Sequence, residues 1–216
     1  FSVDYHLTKS ARIQEFSQEV LTELIKLKMN DVKLHLVING YSYDQKIYLD
    51  YFIDELLNII NSLPLDIITM NNTVLLKELR NRGLNPDIVI KNSVNNKLKT
   101  LDDVITYHTF FNLTSIMLDR SLNRNEDELV KILEYCKEHN LETTILLNEG
   151  CIPNCPYKQA CDESVSNSYD PVVNKFSFLT CGNDFAATPS VTLKSPFVIP
   201  GTINKYKELG VTYFKI

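Results

Sequence analysis

The sequence predicts a parallel α/β fold of the (β/α)8, TIM-barrel-like kind, and three observations predict it. Short β-branched runs alternate with stretches of helical period along most of the chain. The runs are apolar almost without a break, as in Ile88-Val89-Ile90 and Thr144-Ile145-Leu146-Leu147. Strands covered by helices on both faces have that pattern. Eight such runs can be counted, the number a closed parallel barrel uses. A doubly wound open sheet shares the alternation, but no Gly-rich dinucleotide turn or Walker loop follows any run.

In chain order the expected strands are Ser2–His6, Lys33–Asn39, Leu65–Met70, Asp87–Lys91, Ser115–Asp119, Thr143–Asn148, Pro196–Ile199 and Thr212–Ile216. Helical patterns separate most of them. Over Arg12–Lys28 the residues Ile13, Phe16, Val20, Leu24 and Leu27 fall in register. Over Asn125–His139, Leu129, Ile132, Leu133 and Cys136 share a face, and Glu126, Asp127 and Glu128 complement the positive N-terminus. Between the sixth and seventh strands lies Gly150–Ser195, long and weakly periodic. A stretch of that length inside a compact domain usually has a function. The organisation expected is one barrel domain over 1–216, with a Cys-rich insertion at 150–195. Phe1 in place of Met, and a last strand with no helix after it, predict truncation at one or both ends.

Composition narrows the function classes. With 44% hydrophobic residues the chain can bury a core, so disorder and coiled coil are excluded. A net charge of −5 argues against a globally basic nucleic-acid grip, though not against a local patch. No apolar run approaches the roughly 20 residues that cross a bilayer. No signal-peptide pattern opens the chain. The expectation is a soluble protein of the cytoplasm with no membrane partner.

Four of the five cysteines sit in the insertion, as Cys151, Cys155, Cys161 and Cys181, spaced C-x3-C-x5-C-x19-C. Thiolates gathered so closely on a loop suit a single metal ion or cluster, each giving a soft anionic ligand. Pro153 and Pro156 stiffen the turn. Two disulfides, or unconnected thiols, are the alternatives, and disulfides need an oxidising compartment. Spacing alone leaves zinc and a [4Fe–4S] cluster equally open. Cys136, on the apolar face of its helix, reads as core.

The strand-six exit, Leu147-Asn148-Glu149-Gly150-Cys151 followed by Cys155-Pro156-Tyr157-Lys158, resembles a motif of the collagenase-like peptidase family (unclassified peptidase family thirty-two), in its barrel-only branch. The last residues, Gly210-Val211-Thr212-Tyr213-Phe214-Lys215-Ile216, are similar to the family's G-x-x-x-F-K-I strand. Relatives usually carry His where Cys161 stands, and either side chain is a metal ligand. The resemblance implies a TIM barrel and favours a [4Fe–4S] cluster on Cys151, Cys155, Cys161 and Cys181, with zinc as the alternative. It also implies oxygen-independent hydroxylation or a related redox modification of a small molecule or RNA base. Those relatives space their cysteines differently. Proteolysis, as the family name has it, needs an activated nucleophile or a metal-bound water. The chain contains neither G-x-S-x-G nor H-E-x-x-H.

In such a barrel the site is built from the C-terminal ends of the strands. Arg120, Asn148 and Glu149 are the candidate catalytic residues there, and His6, Asn39, Asn92 and Asp119 the candidate substrate-binding ones. Arg120 suits a bidentate grip on a carboxylate or phosphate. It also has Asp119 and Glu126 as plain surface partners to hand. The asparagines can orient a substrate by donating and accepting hydrogen bonds, or can cap turns. The expected occupant of the barrel mouth is a small-molecule substrate or an RNA base, with a protein partner as a further expectation.

Overall fold

A computed structural model describes residues 18–39, 49–167 and 181–216. The expected first strand, Ser2–His6, lies outside them, and His6 with it. The chain falls into two compact units, Phe1–Lys91 with Val165–Tyr169, and Asn92–Ser164 with Asp170–Ile216.

The first unit opens with α1 (Gln18–Met29), the described part of the first expected helix. Strands β1 (His35–Ile38) and β2 (Ile67–Met70) pair in parallel, with His35 opposite Ile67 and Ile38 opposite Met70. Helix α2 (Asp50–Ser62) connects them. Its apolar residues Ile53, Leu56, Leu57 and Ile60 recur at helical spacing and are buried. Helix α3 (Thr73–Asn81) starts at Asn72, whose side chain accepts from the Leu75 N–H at 3.0 Å. It stops at Gly83, whose φ of 99° favours a residue without a Cβ. Asp66 ties this unit together before β2. Its carboxylate pairs with Lys28 of α1 and accepts the Leu34 N–H at 2.7 Å.

Strand β3 (Val89–Asn92) ends at the start of the second unit. There, α4 (Leu101–Phe111) begins with a reciprocal box in which Thr100 and Asp103 each accept a backbone N–H of the other. It is followed by β4 (Ser115–Met117), a 3-10 turn (Arg120–Arg124), α5 (Glu126–Glu138) and β5 (Glu142–Leu146). Helix α5 fulfils the sequence expectation, capped by Asn125 and burying Leu129, Ile132, Leu133 and Cys136. The insertion carries helices of its own: α6 (Lys158–Asn167), α7 (181–187) and a 3-10 stretch (Pro189–Lys194). Last come α8 (Ile203–Leu209) and β6 (Tyr213–Lys215). Strands β4 and β6 flank β5 in parallel, with Met117 opposite Thr144 and Lys215 opposite Leu146.

The six described strands form one sheet in the order β1-β2-β3-β4-β5-β6. The fold is therefore α/β with a six-stranded parallel sheet, and the expected closed ring of eight strands is not formed by the described residues. One correction is local. Pro196–Ile199, expected as the seventh strand, is not a strand, and β6 pairs directly with β5. The reason lies in its prolines: Pro196 has no N–H to give, and Pro200 ends the segment after four residues. Only the Val198 N–H reaches the sheet, donating to the Leu147 carbonyl at 2.8 Å. No helix among the described residues is long and apolar enough to cross a membrane.

Candidate functional site

The second unit gathers charge at the C-terminal ends of β4, β5 and β6. Beyond β4, Leu118 still bonds to β5, and Asp119 turns the chain. The Asp119 carboxylate accepts the Ser121 N–H at 2.9 Å and the Ser121 hydroxyl at 2.6 Å, closing the 3-10 turn that launches Arg120. Beyond β5, the chain carries Asn148 outward to solvent and Glu149 inward. The inward carboxylate is 7% exposed and pairs with the Arg120 guanidinium, itself 17% exposed. Its other oxygen accepts the Cys151 N–H at 2.7 Å, and the Glu149 carbonyl accepts the Ser195 hydroxyl.

Lys215, the last residue of β6, stands at the same edge. Burial, and after it the Arg120 charge, hold its ammonium below the usual lysine range. In the sequence Lys215 is visible only as part of the F-K-I motif. Its place at a strand's C-terminal end was the signal available. The Cys151 thiol is pushed up to about 11, first by burial and then by the Glu149 carboxylate. Beside this group, Lys158 pairs with the buried Asp162 at 2.6 Å on the first turn of α6.

The remaining sequence candidates divide clearly. Asn92 is 2% exposed and clamps β3 to β4: its amide donates to the Met117 carbonyl at 2.8 Å and accepts the Met117 N–H at 2.7 Å. Asp119 serves as the cap just described. Arg120 takes neither of its expected surface partners, Asp119 or Glu126, but Glu149. Asn39 is half-buried after β1 in the first unit.

The four cysteines of the insertion are all part-buried and unbridged. Cys155 and Cys181 both lie close enough to Tyr157 to act on its hydroxyl, which donates to Asp184 of α7. Among the described residues, however, no three His, Cys, Asp or Glu side chains converge to hold a metal ion. Four cysteines fit a metal centre in donor chemistry.

No protein-family model matches the chain. A search of curated proteins finds it 27% identical over 188 residues to the uncharacterized protease MJ1657 of Methanocaldococcus jannaschii. That match takes in 85% of this chain and 51% of the relative, so the chain spans about half of the relative's length. Among solved structures it is similar to the U32 peptidase Mk0906, with a TM-score of 0.60 at 16% identity. The superposition covers all of this chain and 81% of that one.

Proposed function

We propose, from its likeness to the collagenase-like U32 peptidases, that the chain is an enzyme domain working at the ends of β4, β5 and β6, with Arg120 and Glu149 as its central pair. One observation carries this reading: a nearly buried carboxylate and a guanidinium, paired at the carboxyl edge of a parallel sheet. Open and closed parallel sheets alike place their ligands at that edge. A buried ion pair is a poor stability device, because desolvation offsets most of its attraction, so its presence there favours a functional use. In this role Arg120 binds and orients the substrate. Glu149 holds Arg120 in place and keeps a carboxylate beside the reacting group.

The chemistry we favour is oxygen-independent hydroxylation or a related redox modification of a small molecule or RNA base, supported by the family resemblance. A [4Fe–4S] cluster on Cys151, Cys155, Cys161 and Cys181 would transfer electrons or organise the site, and donor chemistry alone supports that set, with zinc as the alternative. Peptide hydrolysis is supported by the names of the two relatives.

Anaerobic purification, with iron, zinc and acid-labile sulfide quantified on one sample, separates these chemistries. About four irons and four sulfides per chain support the redox reading. One zinc or no metal removes it. The site itself is tested by incubating wild type and Glu149→Gln with peptide, small-molecule and RNA pools. A product formed by the wild type and lost in a folded variant supports the site, and equal product from both overturns it.

A further inference from the structure

The strand-end site is unbalanced in charge and in hydrogen bonding. Two cations, Arg120 and Lys215, stand close enough to act on each other, and the one carboxylate there, Glu149, pairs with Arg120. A guanidinium carries several N–H donors in a fixed fork, and an ammonium adds more. Glu149 takes up part of the Arg120 fork, and its second oxygen is committed to the Cys151 N–H. Among the described residues the Lys215 ammonium has neither a hydrogen bond nor an ion pair. The neighbouring Lys158 pairs with Asp162. A part-buried ammonium beside a guanidinium is costly without a second anion.

We propose that Arg120 and Lys215 together seat an oxyanion group of the substrate, a carboxylate or a phosphate, at the ends of β4 and β6. The inference rests on the strand-end reading above and specifies what that site recognises. Geometry gives each cation its part. Arg120 rises from a turn fixed by the Asp119 cap, and Glu149 steadies one side of its guanidinium, leaving the other side of the fork for the ligand. Lys215 closes the seat from β6, whose register with β5 sets it opposite Leu146, three residues before Glu149. Glu149 thereby prevents a bound anion from taking the whole of Arg120 and confines it to the Lys215 side.

The test uses inorganic phosphate and acetate as probes, each titrated against chloride at constant ionic strength. Thermal unfolding and calorimetric binding are read for wild type, Lys215→Met and Lys215→Arg. Wild type is expected to gain stability saturably with one probe beyond the chloride control. Lys215→Met should lose at least about tenfold in affinity for that probe, the size of one charge-assisted hydrogen bond. Its melting temperature without probe should equal or exceed that of wild type, since an unpaired cation has gone. Lys215→Arg should restore most of the binding. A stronger response to phosphate assigns a phosphate-bearing substrate, and a stronger response to acetate a carboxylate. Identical probe dependence in wild type and Lys215→Met, or no binding by wild type, overturns the seat. Either result leaves the comparison of wild type with Glu149→Gln to judge the site on its own terms.

Discussion

At the scale of single residues, the Arg120–Glu149 pair makes a sharp prediction about stability. Removing one partner strands the other in a partly buried place. Glu149→Gln should therefore cost about 3 kcal/mol in urea unfolding, because it leaves Arg120 without a counter-charge. Replacing both partners, as Arg120→Met with Glu149→Leu, should recover most of that loss. A double variant no more stable than Glu149→Gln contradicts this account. Asn92 makes a second prediction. Its side chain satisfies both backbone groups of Met117 in a buried place, so Asn92→Ala should cost about 2–3 kcal/mol. Asn148 is exposed, and Asn148→Ala should stay within about 0.5 kcal/mol. The two asparagines looked alike in the sequence. What separated them was which one the strand turned toward a neighbouring backbone, and a one-residue offset decides that.

At the scale of elements, Asp66 links α1 to the start of β2, and its titration gives a pH dependence with a definite sign. The Lys28 hydrogen bond holds its carboxyl below the ordinary range against the opposing pull of burial, and the Leu34 N–H helps. A carboxyl depressed in the folded state stabilises fully above its unfolded pKa, near 4, and loses that contribution as pH falls through the folded value. Asp66→Ala should thus be less stable than wild type at pH 7, with the gap narrowing steadily below about pH 4. A gap that stays constant down to pH 2 contradicts the pairing. Helix caps are separable in the same way. Thr100→Ala removes one half of the box at the start of α4 and should cost about 1 kcal/mol. The helices were legible because caps and apolar faces are local signals. Asn125 and the buried quartet of α5 could be read directly from the chain.

At the scale of the whole molecule, the parallel alternation was legible and the strand count was not. Strands β1 to β5 each overlap an expected run, because each is an apolar segment whose burial needs only its own residues and a covering layer. The seventh expected strand failed because a three-residue apolar run between prolines imitates a strand without the donors to pair as one. The site was legible in part. Arg120, Glu149 and Cys151 come together at the strand ends, whereas the place of Lys215 depends on β6 arriving beside β5, a pairing that no local pattern announces. Its bonds join residues 69 positions apart, as between Thr143 and Thr212. So distant a pairing should form late in folding. Val211→Ala should give a φ-value below about 0.3, and Ile132→Val in α5 a higher one. The reverse order would place β6 in the nucleus. That same long connection is pinned at its base: Ser195 donates to the Glu149 carbonyl across 46 positions, while Asn123 holds the Pro196 carbonyl at 2.9 Å and Arg124 holds those of Ser195 and Phe197 at 3.0 Å. The closure entropy of a chain clamped at its ends grows only with the logarithm of its length, by about 0.6 kcal/mol for each doubling. The cysteine-bearing segment can thus be shortened, extended or exchanged for another at small thermodynamic cost, while the strand ends beneath it keep their geometry. The fold treats it as a replaceable cassette.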